Sequence, residues 1–340
     1  MSIDIENAIT GTIVVWGDNS LGQIKDAPPG SDFAHLARGG AGQSLALRAD
    51  GSLWLWGGTK MGAPVPPIPS TMAPIRFVEL AISLTYWIGL TNSGSIMSDG
   101  KFLSGAAMAT PAGTGYKAIA AGANHGVAID SGGNLIGWGA IGACPAGTFT
   151  RVAARSGYAI AIRQSDGALV GWGLDPAWGL RVFGRWGWTA EGAGSGHYSV
   201  KGPFKDLAAG VVQKPPMGDF PHVVALLTDA TIQGWGDNKF GEAPPMPTGK
   251  NITAIGAGLG YTIGLHGPGN LRYWGAPPGV LPLKDGSTAI GKLPTGLFLS
   301  ISAGSNHATA LRMTLAPGPD ARPRKLPGRK VPIAGRARGK

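Results

Sequence analysis

Seven residues share one position of a recurring hairpin: Gln43, Tyr86, His125, Tyr158, His222, Tyr261 and His307. Each stands four residues before the apolar residue that closes the hairpin's first strand. Three of the chain's six histidines lie in this column, and imidazole is a common metal ligand. A single ion needs its ligands at about 2 Å. Residues that recur once per repeat are held apart by the repeat itself, so the column reads as structural, with each polar tip bonding a backbone group inside its own unit. No metal or cofactor is expected.

Other reactive types give no constellation. The sequence has no Gly-x-Ser-x-Gly elbow, no His-Glu-x-x-His, no Cys-x-x-Cys and no phosphate-loop Gly-x-x-x-x-Gly-Lys-Ser/Thr. The acids Asp18, Asp50, Asp130, Asp166 and Asp237 fall where turns are expected, and Asp favours turns through its short acceptor side chain. Cys144 is the one cysteine and has no patterned His or Asn partner. It excludes an internal disulfide framework. The chain is therefore expected not to be an enzyme; chemistry on a central-channel face is the weakest alternative.

The elements that position these residues are legible in a dipeptide. Trp-Gly recurs at 16, 56, 138, 172, 235 and 274, at steps of 40, 82, 34, 63 and 39 residues. A period near 40, with short apolar runs between Gly-rich turns, signals a repeat of β-sheets closed into a ring. Glycine contributes 58 of 340 residues, far above the usual roughly 7%, and lies where turns and close strand approaches need it. One unit reads Ala121-Gly122-Ala123-Asn124-His125 into a strand, turns at Asp130–Asn134 and returns through Leu135–Trp138. The second copy departs, with Met97-Ser98-Asp99-Gly100 in place of Trp-Gly; this unit is either repacked or faces a neighbouring subunit. The last copy stops at Leu315, and the chain opens with an orphan strand, Gly11–Gly17. The two half-units make one whole unit if the termini pair. The expected fold is an all-β, seven-bladed propeller over 1–315, closed by the N-terminal strand joining the C-terminal blade, with a separate tail at 316–340.

Trp16-Gly17-Asp18-Asn19-Ser20-Leu21-Gly22-Gln23 and Trp235-Gly236-Asp237-Asn238-Lys239-Phe240-Gly241-Glu242 resemble the regulator of chromosome condensation repeat. So do Ala303-Gly304-Ser305-Asn306-His307 and the Asp50-Gly51-Ser52-Leu53 turn. The resemblance covers about residues 11–315. It implies a seven-bladed propeller with blades of four strands, and no single activity: members include a nucleotide-exchange factor for a small GTPase, enzyme inhibitors and other binding modules.

Function is expected where the repeat breaks. Residues 174–203 form an insertion between the fourth and fifth copies, carrying Trp178, Arg181, Phe183, Arg185, Trp186, Trp188 and Tyr198. Trp, Tyr and Arg dominate binding hot spots. The insertion either packs on its own propeller, presents a partner surface or is disordered. A second insertion at 211–221, ending in Phe220 and Pro221, is expected to project near the same rim. The tail holds Arg322, Arg324, Lys325, Arg329, Lys330, Arg336, Arg338 and Lys340 against Asp320 alone, a net +7 of the chain's formal net charge of +10. Its Pro and Gly content predicts disorder in isolation. It either stays solvated, meets an acidic protein or binds nucleic acid. The acidic N-terminus has no signal-peptide pattern and no apolar run is long enough to span a bilayer, so cytoplasmic synthesis is expected. The sequence thus favours a non-enzymatic, protein-binding or structural propeller in a larger assembly, such as a virion decoration or fibre protein. The alternative is an exchange-factor-like regulator of a small GTPase with a chromatin- or nucleic-acid-binding tail.

Overall fold

A computed structural model describes residues 9–40, 42–58, 75–174, 183–214, 218–238, 240–243, 250–275 and 293–314. These residues contain strands and a single 3-10 turn, Gly184–Trp186, and no helix among them is long and apolar enough to cross a membrane. The tail residues Arg322, Arg324, Lys325, Arg329, Lys330, Arg336 and Arg338 lie outside the described residues, as do Trp178 and Arg181; so do the side chains of Arg185 and Phe220.

The strands form six hydrogen-bonded sheets that divide into seven antiparallel three-stranded units, units 7 and 1 sharing one sheet through the Gly11/Phe33 pair. Their first strands are Phe33–Leu36, Phe77–Ile82, Ala118–Ala121, Phe149–Arg155, Phe204–Lys214, Ile252–Ala257 and Phe298–Ala303. Successive first strands neighbour one another from Phe77–Ile82 round to Phe298–Ala303, which meets Phe33–Leu36; Phe77–Ile82 itself meets unit 1 through Arg38–Gly39 and Gln43–Arg48. Unit 7 is completed by the other end of the chain. Gly11–Gly17 pairs antiparallel with His307–Met313, with Trp16 opposite Ala308 and Gly17 opposite His307. Unit 3 has the same register within one continuous segment, Trp138 opposite Gly126 and Gly139 opposite His125. The orphan strand therefore replaces a missing third strand residue for residue and removes an exposed edge. Among the described residues unit 4 gains outer strands, Tyr198–Val200 and Thr189–Ala190; most of the segments that follow the third strands of units 1, 5 and 6 lie outside the described residues.

Each Trp of the repeat faces a smaller residue across its strand pair: Ser44, Gly126, Ala159, Val223, Thr262 and Ala308. A β-carbon on Gly126 would stand 2.1 Å from the Trp138 ring. Glycine is required there by the indole that covers it. The second copy is repacked rather than degenerate. Its cross-strand pair is Trp87 with Asp99, so the indole sits on the opposite strand of the same pair, on the same sheet face. Trp87 is fully buried, edge-on to Phe77.

Six first strands carry a β-bulge one residue after their start, at Phe33/His35, Phe77/Glu79, Phe149/Arg151, Phe204/Asp206, Ile252/Ala254 and Phe298/Ser300. The opening aromatic or Ile is buried each time. A bulge re-aims the residue that follows it, and His35, Glu79, Arg151 and Asp206 all occupy that following position.

Candidate functional site

The aromatic insertion docks on the ring between units 4 and 5. Phe183 stacks on Trp188 at 5.0 Å and meets Tyr158 edge-on at 5.9 Å. Trp188 in turn meets Trp235 of unit 5 at 5.6 Å. The Phe183 ring covers Gly171, whose hypothetical β-carbon would be 2.6 Å from it. Arg163 ties the returning segment down through Glu191 at 2.6 Å, and His197 Nε2 lies 2.9 Å from the Ala143 carbonyl. This corrects the reading of Phe183, Trp188 and Tyr198 as partner contacts. They are 0%, 4% and 8% exposed and belong to one core cluster with Ile160, Leu207 and Val223. Burial of such rings stabilises by about 1.5–3 kcal/mol each, so they close an inter-unit gap instead of facing outward. Trp186 packs half-buried on the same cluster.

The second insertion extends a ribbon. Phe204–Lys214 and Gly218–Leu227 pair without a break from Leu207/Ala225 to Lys214/Gly218, four pairs beyond Gly210/His222. Other units end this hairpin at or before the level of Gly210 and His222: unit 4 at Arg155 with Tyr158, unit 3 one pair earlier at Ala121 with Gly126. At about 3.4 Å per residue the ribbon stands roughly 13 Å clear of that rim.

The His/Tyr column is an inter-unit device, which corrects the expectation of bonds within each unit. Tyr86 donates to the carbonyls of Gly122 and His125 in unit 3 at 2.7 and 2.6 Å. Tyr158 donates to Gly210 and His222 of unit 5, and Tyr261 to Gly304 and His307 of unit 7. His307 Nε2 lies 2.6 Å from Ser44 Oγ of unit 1, and His222 Nε2 3.3 Å from Thr262 Oγ1 of unit 6. Ser44 with His307 has the spacing of a nucleophile and base, but both are buried between units, 8% and 1% exposed, with no approach for a substrate. Burial holds His125 at a pKa of about 4; burial and then the Arg155 charge hold His222 at about 3. These imidazoles are neutral packing elements. Among the described residues no group of three or more His, Cys, Asp or Glu is placed to hold a metal. Burial pushes the Cys144 thiol up to about 11, which suppresses the nucleophilic thiolate. Asp50, Asp130 and Asp166 cap their own turns by accepting from the backbone N–H of Ser52, Asn134 and Ala168.

An axial cavity of about 190 Å³ lies where the seven first strands converge. Most of its lining is small: Ala81, Ala120, Ala153, Ala208, Gly256 and Ser302 are among it. The charged lining residues are Arg38, Arg155 and Asp206, with His35 beside them. Arg38 reaches the site by a detour. Arg38 and Gly39 leave unit 1 to pair in parallel with Ala81 and Ile82 of unit 2, and Gly39 and Gly40 take φ of +94° and +97°, a region glycine enters at no steric cost. Arg38 Nη1 then lies 3.6 Å from Asp206 of unit 5, across the ring. Glu79 accepts the Ile119 N–H at 3.0 Å; burial raises its pKa against the opposing charge of Arg38. Burial, then Arg38, lowers His35 to about 4. Arg155 was not singled out in the sequence, although a signal was present. It breaks the Ala-Gly step that reads Gly122, Gly258 and Gly304 elsewhere.

The fold is that of the RCC1-like β-propellers. The chain is similar in structure to Prp20p of Saccharomyces cerevisiae (TM-score 0.68, 18% identity, covering 93% of this chain and 94% of that one). It is also similar to human WBSCR16 (TM-score 0.63, 15% identity, 90% and 100% covered). A third likeness is to the ectodomain of the receptor kinase CR4 from Physcomitrella patens (TM-score 0.56, 22% identity, 82% and 69% covered). No protein-family model matches the sequence, and no curated protein matches it.

Proposed function

We propose that this protein is a non-enzymatic, protein-binding propeller whose partner engages the rim that carries the 211–221 ribbon. The carrying observation is the ribbon itself. Two strands extend four pairs beyond the sheet that supports them, and an isolated two-stranded hairpin is marginally stable in water. Its outer edges offer backbone donors and acceptors for strand addition. Gly173, where the 174–203 insertion departs, pairs with Tyr158 at the same rim. This reading adds Trp178, Arg181 and Arg185 to the contact surface beside Phe220. The basic tail supplies a second contact, with an acidic protein or nucleic acid.

Replacing residues 211–221 by an Asn-Gly turn tests it. The shortened protein should keep the wild-type circular dichroism and unfolding midpoint, because Gly210 and His222 are already paired. A stoichiometric partner recovered from the native source by wild type should be lost. Undiminished recovery overturns the reading.

A second reading, control of a small GTPase, is supported by the fold shared with Prp20p, whose structural study describes binding to Gsp1p and histones. Accelerated nucleotide release from a co-purified GTPase would favour it. Nothing in the fold supports a place in a virion, and that expectation is dropped.

A further inference from the structure

We propose that the ribbon takes up one extended segment of a partner protein as an added strand, along its axis-facing edge, at the backbone groups of Val211 and Gln213. The proposal rests on the rim reading above and names the edge and the backbone chemistry of the partner. The ribbon's hydrogen-bonding parity is fixed from below. Leu227 donates its N–H to the Thr231 carbonyl, toward the third strand of unit 5. The register shift of this hairpin lies in its first strand, so Gly218–Leu227 runs on without a bulge of its own. Successive residues of such a strand turn their backbone groups to alternate sides. Val223, Pro221 and Asp219 therefore point away from Phe204–Lys214, and His222, Phe220 and Gly218 point toward it. The pair equivalent to Gly210/His222 is hydrogen-bonded in units 3, 6 and 7, where Gly122, Gly258 and Gly304 donate to the carbonyls of His125, Tyr261 and His307 at 2.9 Å.

The two edges of the ribbon then differ. On the outer side, Ile232–Gly236 ends opposite His222, so the edge beyond it is open at Asp219 and Pro221. Proline has no N–H, which leaves Asp219 as the single donor there, a device by which edge strands resist pairing. On the other side, Phe204–Lys214 is the first strand of its unit and has no hydrogen-bonded neighbour toward the axis among the described residues. Leu207 and Ala209 of the same strand line the axial cavity. Val211 and Gln213 stand opposite Pro221 and Asp219 and turn their N–H and C=O groups to that axis side. They present two donors and two acceptors, two residues apart.

Those four groups fit a guest strand with free N–H groups at positions i and i+2, each exchanging two hydrogen bonds with its opposite residue in the antiparallel arrangement. Proline is excluded at those two positions and tolerated between them, where the N–H points away. A third strand also supplies what a two-stranded ribbon lacks for stability in water. A second copy's ribbon is the poorer guest. In the register that joins Val211 of each chain to Gln213 of the other, Lys214 stands opposite the other chain's Gly210. The loop from Lys214 to Gly218 then falls level with Ala209, inside a mouth of about 190 Å³, close to the size that holds one benzene ring. A single segment needs three residues beside the ribbon and can leave at the level of the rim.

The probe is a phage-displayed library of random octapeptides selected on the full chain, with the enriched peptide then synthesised and titrated by fluorescence polarisation. Gln213→Pro and Asp219→Pro make the same chemical change on opposite edges. Neither removes a hydrogen bond of the ribbon, so both should keep the wild-type circular dichroism and unfolding midpoint. Gln213→Pro should weaken the peptide at least tenfold, because it leaves a guest carbonyl unpaired, and Asp219→Pro should leave its affinity within about twofold. Methylating the peptide's backbone nitrogens one at a time should abolish binding at two positions two residues apart and spare the one between them. Failure to enrich any peptide, equal effects of the two prolines, or a methylation pattern without that alternation overturns the proposal. Loss of the native partner on ribbon replacement, combined with its full retention by Gln213→Pro, overturns the edge and leaves the rim reading standing.

Discussion

Lowering the pH from 7.5 to 5.0 should destabilise the ring through His125 and His222. Both imidazoles are fully buried and held neutral, with pKa values of about 4 and about 3. In the unfolded chain each titrates near 6.5. The unfolded state therefore takes up protons first, and the stability conferred by a neutral imidazole, complete above pH 6.5, is lost as the pH falls through 6.5 toward 4. At pH 5.0 the gap is about 1.5 pH units, which at 1.36 kcal/mol per unit is about 2 kcal/mol for each histidine. These two groups remove about 4 kcal/mol, and His35, also held at about 4, adds to the loss, against a total of roughly 5–15 kcal/mol for a typical protein. Carboxylates of the turns, such as Asp50 and Asp130, are held below their ordinary values by their hydrogen bonds; their effect falls below the chosen window. Urea unfolding followed by tryptophan fluorescence at pH 7.5, 6.0 and 5.0 measures the loss. The discriminating variant is His125→Tyr, because tyrosine fills the same column at 86, 158 and 261. Its hydroxyl should reach the carbonyls of unit 4, and the loss between pH 7.5 and 5.0 should shrink by about 2 kcal/mol. An unchanged loss in the variant, or a flat wild-type profile, refutes the account.

The remaining expectations concern packing. Tyr261→Phe removes one donor from two buried carbonyls and should cost about 1–2 kcal/mol in urea unfolding. Phe183→Ala should cost about 3–5 kcal/mol, and Gly171→Ala, which drives a methyl into the same ring, about 1–3 kcal/mol; both should alter the fluorescence of Trp186 and Trp188. Trp87→Ser alone should cost about 3–5 kcal/mol. Adding Asp99→Trp, which returns the indole to the strand used by the other units, should recover most of that loss. Recovery of less than half would deny that the cross-strand pair is the unit of packing. Truncation after Leu315 should leave the unfolding midpoint unchanged and abolish any salt-dependent retardation of duplex DNA.

What the sequence determined by itself was the repeat, and with it the ring. Trp-Gly spacing, turn residues and the orphan strand Gly11–Gly17 are local signals, and a half-unit at each end has one way to become whole. The recurrence of Phe, one spacer and then His35, Glu79, Arg151 or Asp206 was also there to be read, but its meaning depends on the bulge that aims the third residue. Tertiary structure alone decided direction. Composition marks Phe183, Trp188 and Tyr198 as adhesive without saying whether they adhere to a partner or to unit 5, because burial depends on which surface comes closest. Arg38 and Asp206 are separated by 167 intervening residues and meet only because the ring brings units 1 and 5 to a common axis. Spacing within one repeat is fixed by the backbone; distances across the ring exist only after it closes.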